Sequence, residues 1–342
     1  MYLTKVERQP YSRPDYKRTQ PRELGIGMTI CIASITKDGE LVTVSDHMLS
    51  FHDGIFTAES AALKQSSLTA DWFALYASDD VGGVPSLLAR IESKVGGWND
   101  VLSVTDMTAH VGAAFQEERL FRAEELHLRP NRLDLETLYQ PDIALSRGES
   151  TIALLRDRVE QHSIGTELLV CGYDANPGHI SRSAHILHVT HPGIVKNYEM
   201  PGYWAIGKGS LLALSWLASR RHSRFHSMAM GIYHLCEAKF SAEGASDVGK
   251  ETFVVVHSKD RKWKSAEKDR DPLGVIRVAW EEHGRPAVPN DVAVKVHQWP
   301  KSEDGWLPKP SVVMPSASQT LNSSSSQAGE ASAETDRSHS DG

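Results

Sequence analysis

Several residues in this chain could do chemistry by type and spacing. His222 and His226 stand four apart, a spacing that can put two metal ligands on one helix face, yet no acidic or cysteine partner completes a metal-site pattern nearby. They read as surface or packing residues, and no metal is expected. Gly207-Lys208-Gly209-Ser210 precedes an apolar helical stretch and could cradle a phosphate at a helix start, but it lacks the full P-loop pattern. No nucleotide or other cofactor is expected. Taken singly, Thr29 suits a strand opening, Asp46 a strand end and Lys64 a solvated surface. Cys31, Cys171 and Cys236 each sit inside an apolar run and read as core residues.

The elements that would position these residues fall into groups. Thr29 to Thr36 is rich in β-branched residues, Asp38-Gly39 supplies a turn, and Leu41 to Val44 resumes the run, which predicts a hairpin. A turn at His52-Asp53-Gly54 leads to short strands at Ile55 to Thr57 and Ala62 to Leu68, and Trp72 to Ala77 closes the group. Val84 to Val95 and Val104 to Leu126 then carry apolar residues at helical spacing, with Thr105 and Asp106 near the second start. Asn131 to His162 is mixed, with a further helix over Ile152 to Val159. Glu167 to Tyr173 and Ala184 to Thr190 are strands around a turn at Asp174 to Gly178, and Trp204 to Ile206 continues the strand character. Helices over Ser210 to Arg220 and Ser227 to Phe240 precede a strand at Glu251 to His257. Segregated runs of strands and helices indicate an α+β layered architecture.

Composition narrows the function classes. A net charge of -7 over 342 residues disfavours general nucleic-acid binding. Three widely spaced cysteines fit a reducing, cytoplasmic compartment, and no apolar run is long enough for a signal-peptide core or a bilayer span. Three zones follow: a polar leader over 1–27, a patterned domain over 28–280, and a proline- and serine-rich linker and disordered tail over 281–342.

The order of elements, with particular residues at their joints, resembles the proteasome β-subunit type of N-terminal-nucleophile hydrolase. The opening MTICIASITKDGELVTVSD is similar to that family's first hairpin, closing at Asp46. Lys64 corresponds to the family lysine, and Leu75-Tyr76-Ala77-Ser78-Asp79 to a strand ending in a small-residue loop. Leu169-Val170-Cys171-Gly172-Tyr173-Asp174 and Ala205-Ile206-Gly207-Lys208-Gly209-Ser210 extend the likeness through residues 28–258. The resemblance implies a four-layer αββα sandwich, closed homo-oligomeric rings and a threonine nucleophile whose own α-amino group is the general base.

Carried over residue by residue, the resemblance makes Thr29 the nucleophile, Lys64 the cation that keeps the amine neutral, and Asp46 the carboxylate that orients the lysine. A backbone N–H at Ser78 or Asp79 would meet the oxyanion, with Gly207, Gly209 and Asp247 in support. Strict alignment puts Met28 in the first position, so Thr29 acts only if the chain begins there, through a start at Met28 and trimming or through cleavage after Met28. Some relatives of the wider class use an N-terminal cysteine, but Cys31 lies two residues inside the strand. Three functions stay open: a threonine-type hydrolase of peptide or other amide bonds, a catalytically inactive proteasome-like structural or binding subunit, and a small-molecule amidase.

Overall fold

A computed structural model describes residues 29–51, 56–59, 63–98, 101–174, 182–245, 248–267, 272–283, 290–299 and 307–308. The chain opens with strands β1 (Cys31–Ile35), β2 (Leu41–Ser45), β3 (Met48–Phe51), β4 (Phe56–Glu59), β5 (Gln65–Ser67) and β6 (Trp72–Ser78). Helices α1 (Val84–Val95), α2 (Val104–Ala123), α3 (Leu135–Leu138), α4 (Pro141–Arg147) and α5 (Glu149–Gln161) follow. Strands β7 (Thr166–Tyr173), β8 (Ala184–Thr190), β9 (Ile194–Asn197) and β10 (Tyr203–Ile206) lead to α6 (Ser210–Ser219) and α7 (Met228–Ala242). The described chain ends with β11 (Phe253–His257), β12 (Lys262–Glu267), α8 (Leu273–His283), α9 (Asn290–Gln298) and β13 (Leu307–Pro308).

The fold is α+β. One antiparallel sheet runs β10-β1-β2-β11-β12-β13, a second runs β5-β6-β7-β8-β9, and β3 pairs with β4 alone. Alternation along each strand sends successive side chains to opposite faces, and here both faces are apolar. Ile32, Val42, Val44, Val254 and Val256 pack with Leu217 of α6, Ile232 and Leu235 of α7, and Ile276 of α8. From the other face of the same strands, Cys31, Ala33, Ile35 and Leu41 meet Phe73, Leu75, Leu169 and Cys171 of the second sheet. The far face of that sheet sets Trp72, Ala74, Leu168 and Val170 against Leu87 and Ile91 of α1 and Val111 and Phe115 of α2. Among the described residues, no helix is long and apolar enough to cross a membrane.

Several elements differ from expectation. The 131–162 stretch holds three helices, which close a small cluster of Leu133, Leu138, Ile152, Leu155 and Val159. Helix α8 runs across the expected domain boundary at residue 280, and α9 buries Val292 and Val296 in the same cluster as α7. The turn over His52-Asp53-Gly54 lies outside the described residues, as does most of the 174–178 turn.

His222 and His226 are packing residues. The His222 ring sits 3.1 Å from His234 through their Nδ1 atoms and 2.8 Å from the Ser34 hydroxyl, and it stacks on His226 with Tyr203 edge-on. Burial, with the charges of His234 and His226, pushes His222 down to about 3; burial, His226 and Arg220 push His234 down to about 4. An unfolded histidine titrates near 6.5, so between roughly pH 6.5 and pH 4 the unfolded chain binds more protons than the folded one. Stability should therefore fall as pH falls through that window. Urea midpoints at pH 7 and pH 4.5 check this, and a His234→Phe variant should show a smaller drop between them.

Candidate active site

Strand register brings four chain segments to one end of the larger sheet. Cys31 pairs with Ser45 on one side and Ile206 on the other, and Ser45 pairs with Phe253. The residues just before β1, after β2, after β10 and before β11 are therefore neighbours. They are Thr29, Asp46, Gly207 and the 249–252 segment. Lys64 enters from the second sheet, where its carbonyl accepts the Tyr76 N–H at 3.2 Å.

Asp46 is the centre of this cluster and is fully buried, with Thr29 and Lys64 buried beside it. Its Oδ1 accepts the Thr29 hydroxyl at 2.5 Å, the Lys64 ammonium at 2.5 Å and the Ile30 N–H at 3.3 Å. Its Oδ2 accepts the Gly249 N–H at 2.8 Å. A carboxylate with a cation and three further donors is the arrangement that makes a buried charge tolerable. It also fixes the hydroxyl and the ammonium on one oxygen atom, so that both groups lie within reach of the same small volume.

Gly207 and Gly209 hold the other side of Thr29. The Gly209 N–H donates to the Thr29 carbonyl at 3.4 Å. Gly207 has φ +88°, and a Cβ there would lie 2.2 Å from the same carbonyl oxygen. Its N–H donates to Glu167 Oε2 at 3.1 Å. Gly207→Ala should lower stability by roughly 1–3 kcal/mol, since left-handed backbone strain and overpacking act together. Gly148→Ala is the control, because φ is +91° there but the nearest atom is 4.0 Å away. Equal urea midpoints for the two variants would contradict the close approach at Thr29.

Ser78 and Asp79 occupy the end of β6. Ser78 Oγ lies 2.8 Å from both the Asp80 carbonyl and Thr166 Oγ1. Its side chain is in phase with Trp72 and Ala74, on the face turned toward α1 and α2. The Asp79 N–H donates to the Gly165 carbonyl at 2.9 Å. Strand N–H groups alternate between the two edges, and Tyr76 N–H meets Lys64, so the Ser78 N–H lies on the Lys64 edge. Asp247 lies outside the described residues.

Cys31 lies in the interior. Burial pushes its thiol up to about 12, with Asp46 adding and Lys64 opposing, which leaves it protonated at neutral pH. No group of three or more His, Cys, Asp or Glu side chains among the described residues is placed to hold a metal ion. The Gly249 donor was missed by sequence reasoning, because a backbone N–H carries no side-chain signal; Asp247 was the residue singled out in that segment.

The fold that carries this cluster is one shared with solved proteins described as ancestral β-subunits. Solved structures with the same fold include Anbu (ancestral beta-subunit) from Yersinia bercovieri, at 13% identity, covering 77% of this chain and 100% of that one with a TM-score of 0.52. An Anbu (Gly-1) mutant from Hyphomicrobium sp. strain MC1 is similar at 14% identity, 75% and 96% coverage and a TM-score of 0.51. At such identities the likeness concerns the fold. It corrects the resemblance to the proteasome β-subunit type of N-terminal-nucleophile hydrolase: the neighbours are Anbu proteins. The short joint motifs fall at strand ends of this chain, so they report its fold and not its family. No protein-family profile matches the chain, and no curated protein sequence matches it.

Proposed function

We propose that this chain is an Anbu-like threonine hydrolase in which Thr29, as first residue of the processed chain, attacks peptide or other amide carbonyls. The observation that carries the reading is the shared Asp46 Oδ1, which holds the Thr29 hydroxyl and the Lys64 ammonium at 2.5 Å each. A free α-amine on Thr29 would take the hydroxyl proton as Oγ1 bonds to the carbonyl carbon and give it to the leaving amine as the C–N bond breaks; water, deprotonated by the same amine, would then cleave the Thr29 ester, releasing the acid and restoring the hydroxyl. Lys64 would disfavour protonation of that amine by like-charge repulsion, while Asp46 holds the lysine in place. The Ser78 N–H is the proposed oxyanion donor, from its position on the Lys64 edge.

The three apolar clusters support a four-layer αββα sandwich as the frame. A homo-oligomeric ring in the cytoplasm belongs to the same proposal and rests on the likeness of fold; light scattering showing only monomer at high concentration would remove it. The chemistry is tested by treating the protein with a β-lactone and mapping the adduct by peptide mass spectrometry. Acylation confined to Thr29 is expected. Labelling elsewhere, or none, favours the inactive structural subunit.

A further inference from the structure

The Gly249 N–H on Asp46 Oδ2 needs its own support, since it comes from a short segment between α7 and β11. The carbonyl of the following residue, Lys250, is held from two sides. Lys239 Nζ on α7 donates to it at 2.9 Å and Arg277 Nη2 on α8 at 3.1 Å, with the Thr252 hydroxyl at 3.5 Å. Both cations also meet Glu243: Lys239 at 2.5 Å, and Arg277 through two bonds of 2.7 Å. Arg277 lies over the Phe240 ring at 3.7 Å, which fixes its plane.

Lys239 is the informative member. Its side chain is fully buried, and burying an ammonium is costly unless it is paired and hydrogen-bonded. A helix lysine with no task would reach solvent along its flexible stem. This one is turned inward, where its donors go to Glu243 and to the carbonyl of Lys250, the residue after the Asp46 donor. We propose that Lys239 and Arg277 are positioning residues, which clamp the Lys250 carbonyl so that the Gly249 N–H stays on Asp46 and Asp46 stays aimed at Lys64 and Thr29. The proposal rests on the hydrolase reading for its effect on turnover, but not for the clamp itself.

The two levels are separated by two measurements, amide exchange on the chain as purified and turnover on the processed chain that begins at Thr29. In Lys239→Met the Gly249 amide should exchange with solvent deuterium about 100-fold faster, a local opening, while Ile32, Val44 and Val254 in the sheet keep their protection. On an amide substrate, kcat should fall about 10- to 100-fold with KM unchanged, as expected for a misplaced catalytic group. Arg277→Gln, which removes one of the clamp's donors and leaves Lys239 paired, is the second variant should Lys239→Met not fold; it should show the same pattern to a smaller degree. Unchanged Gly249 exchange in a folded variant overturns the clamp, as does equal loss of protection throughout the sheet in both variants. Fast Gly249 exchange in a protein whose wild type shows no turnover supports the clamp and overturns the hydrolase.

Discussion

Thr29→Ala should abolish hydrolysis while leaving the fold in place. The Asp46 carboxylate keeps Lys64, Ile30 and Gly249 as donors when the Thr29 hydroxyl is removed. The stability cost should be about 1.5–3 kcal/mol, that of one hydrogen bond to a charged acceptor. Turnover, by contrast, should drop on the order of 10⁴-fold or more, because no other group stands in for a missing nucleophile. Thr29→Ser separates the two effects, since it keeps the hydroxyl and the α-amine. Its activity should lie within about 100-fold of the original, well above that of the alanine variant. Equal activity of all three proteins would exclude Thr29 as nucleophile.

The second large effect concerns the Lys64–Asp46 pair, whose side chains are 2% and 0% exposed. Lys64→Met removes the cation from a carboxylate that cannot reach water. Breaking one partner of a buried pair costs about 3–5 kcal/mol, and replacing both by apolar groups costs much less. Lys64→Met and Asp46→Leu should each lower the urea midpoint strongly, and the double variant should be more stable than the sum of the two predicts. All three should be inactive. Additive losses would mean that the pair is not a unit, and the site geometry would have to be redrawn.

Much of this arrangement was legible in the sequence, for physical reasons that differ from element to element. The β1–β2 hairpin announced itself through β-branched residues around Asp38-Gly39, and Gly39 does take a positive φ of 81°. Helices α1, α2, α6 and α7 followed from apolar spacing, and α2 and α7 begin where Ser103 and Ser227 cap their first turns. Helices α8 and α9 were passed over because charge and proline dominate the composition there. Their own spacing was readable, with Leu273, Ile276 and Ala279 on one side and Val292 and Val296 four apart. The short strands β9 and β12 carry lysines and exposed positions, which weakens any alternation signal. At the site, Thr29, Asp46 and Lys64 do come together, whereas the Gly249 N–H on Asp46 had no local signal. Gly249 and the Lys239–Glu243–Arg277 clamp depend on where α7 and α8 pack, a tertiary fact that no local pattern encodes.

Every catalytic role assigned above requires an α-amino group on Thr29 in place of a peptide bond to Met28. Intact-mass measurement of the protein purified from its native host addresses this directly. A chain beginning at Thr29 is the expected result. A mass that retains Met28 or the residues before it would contradict the hydrolase and leave the buried Thr29–Asp46–Lys64 cluster a structural feature of an inactive subunit.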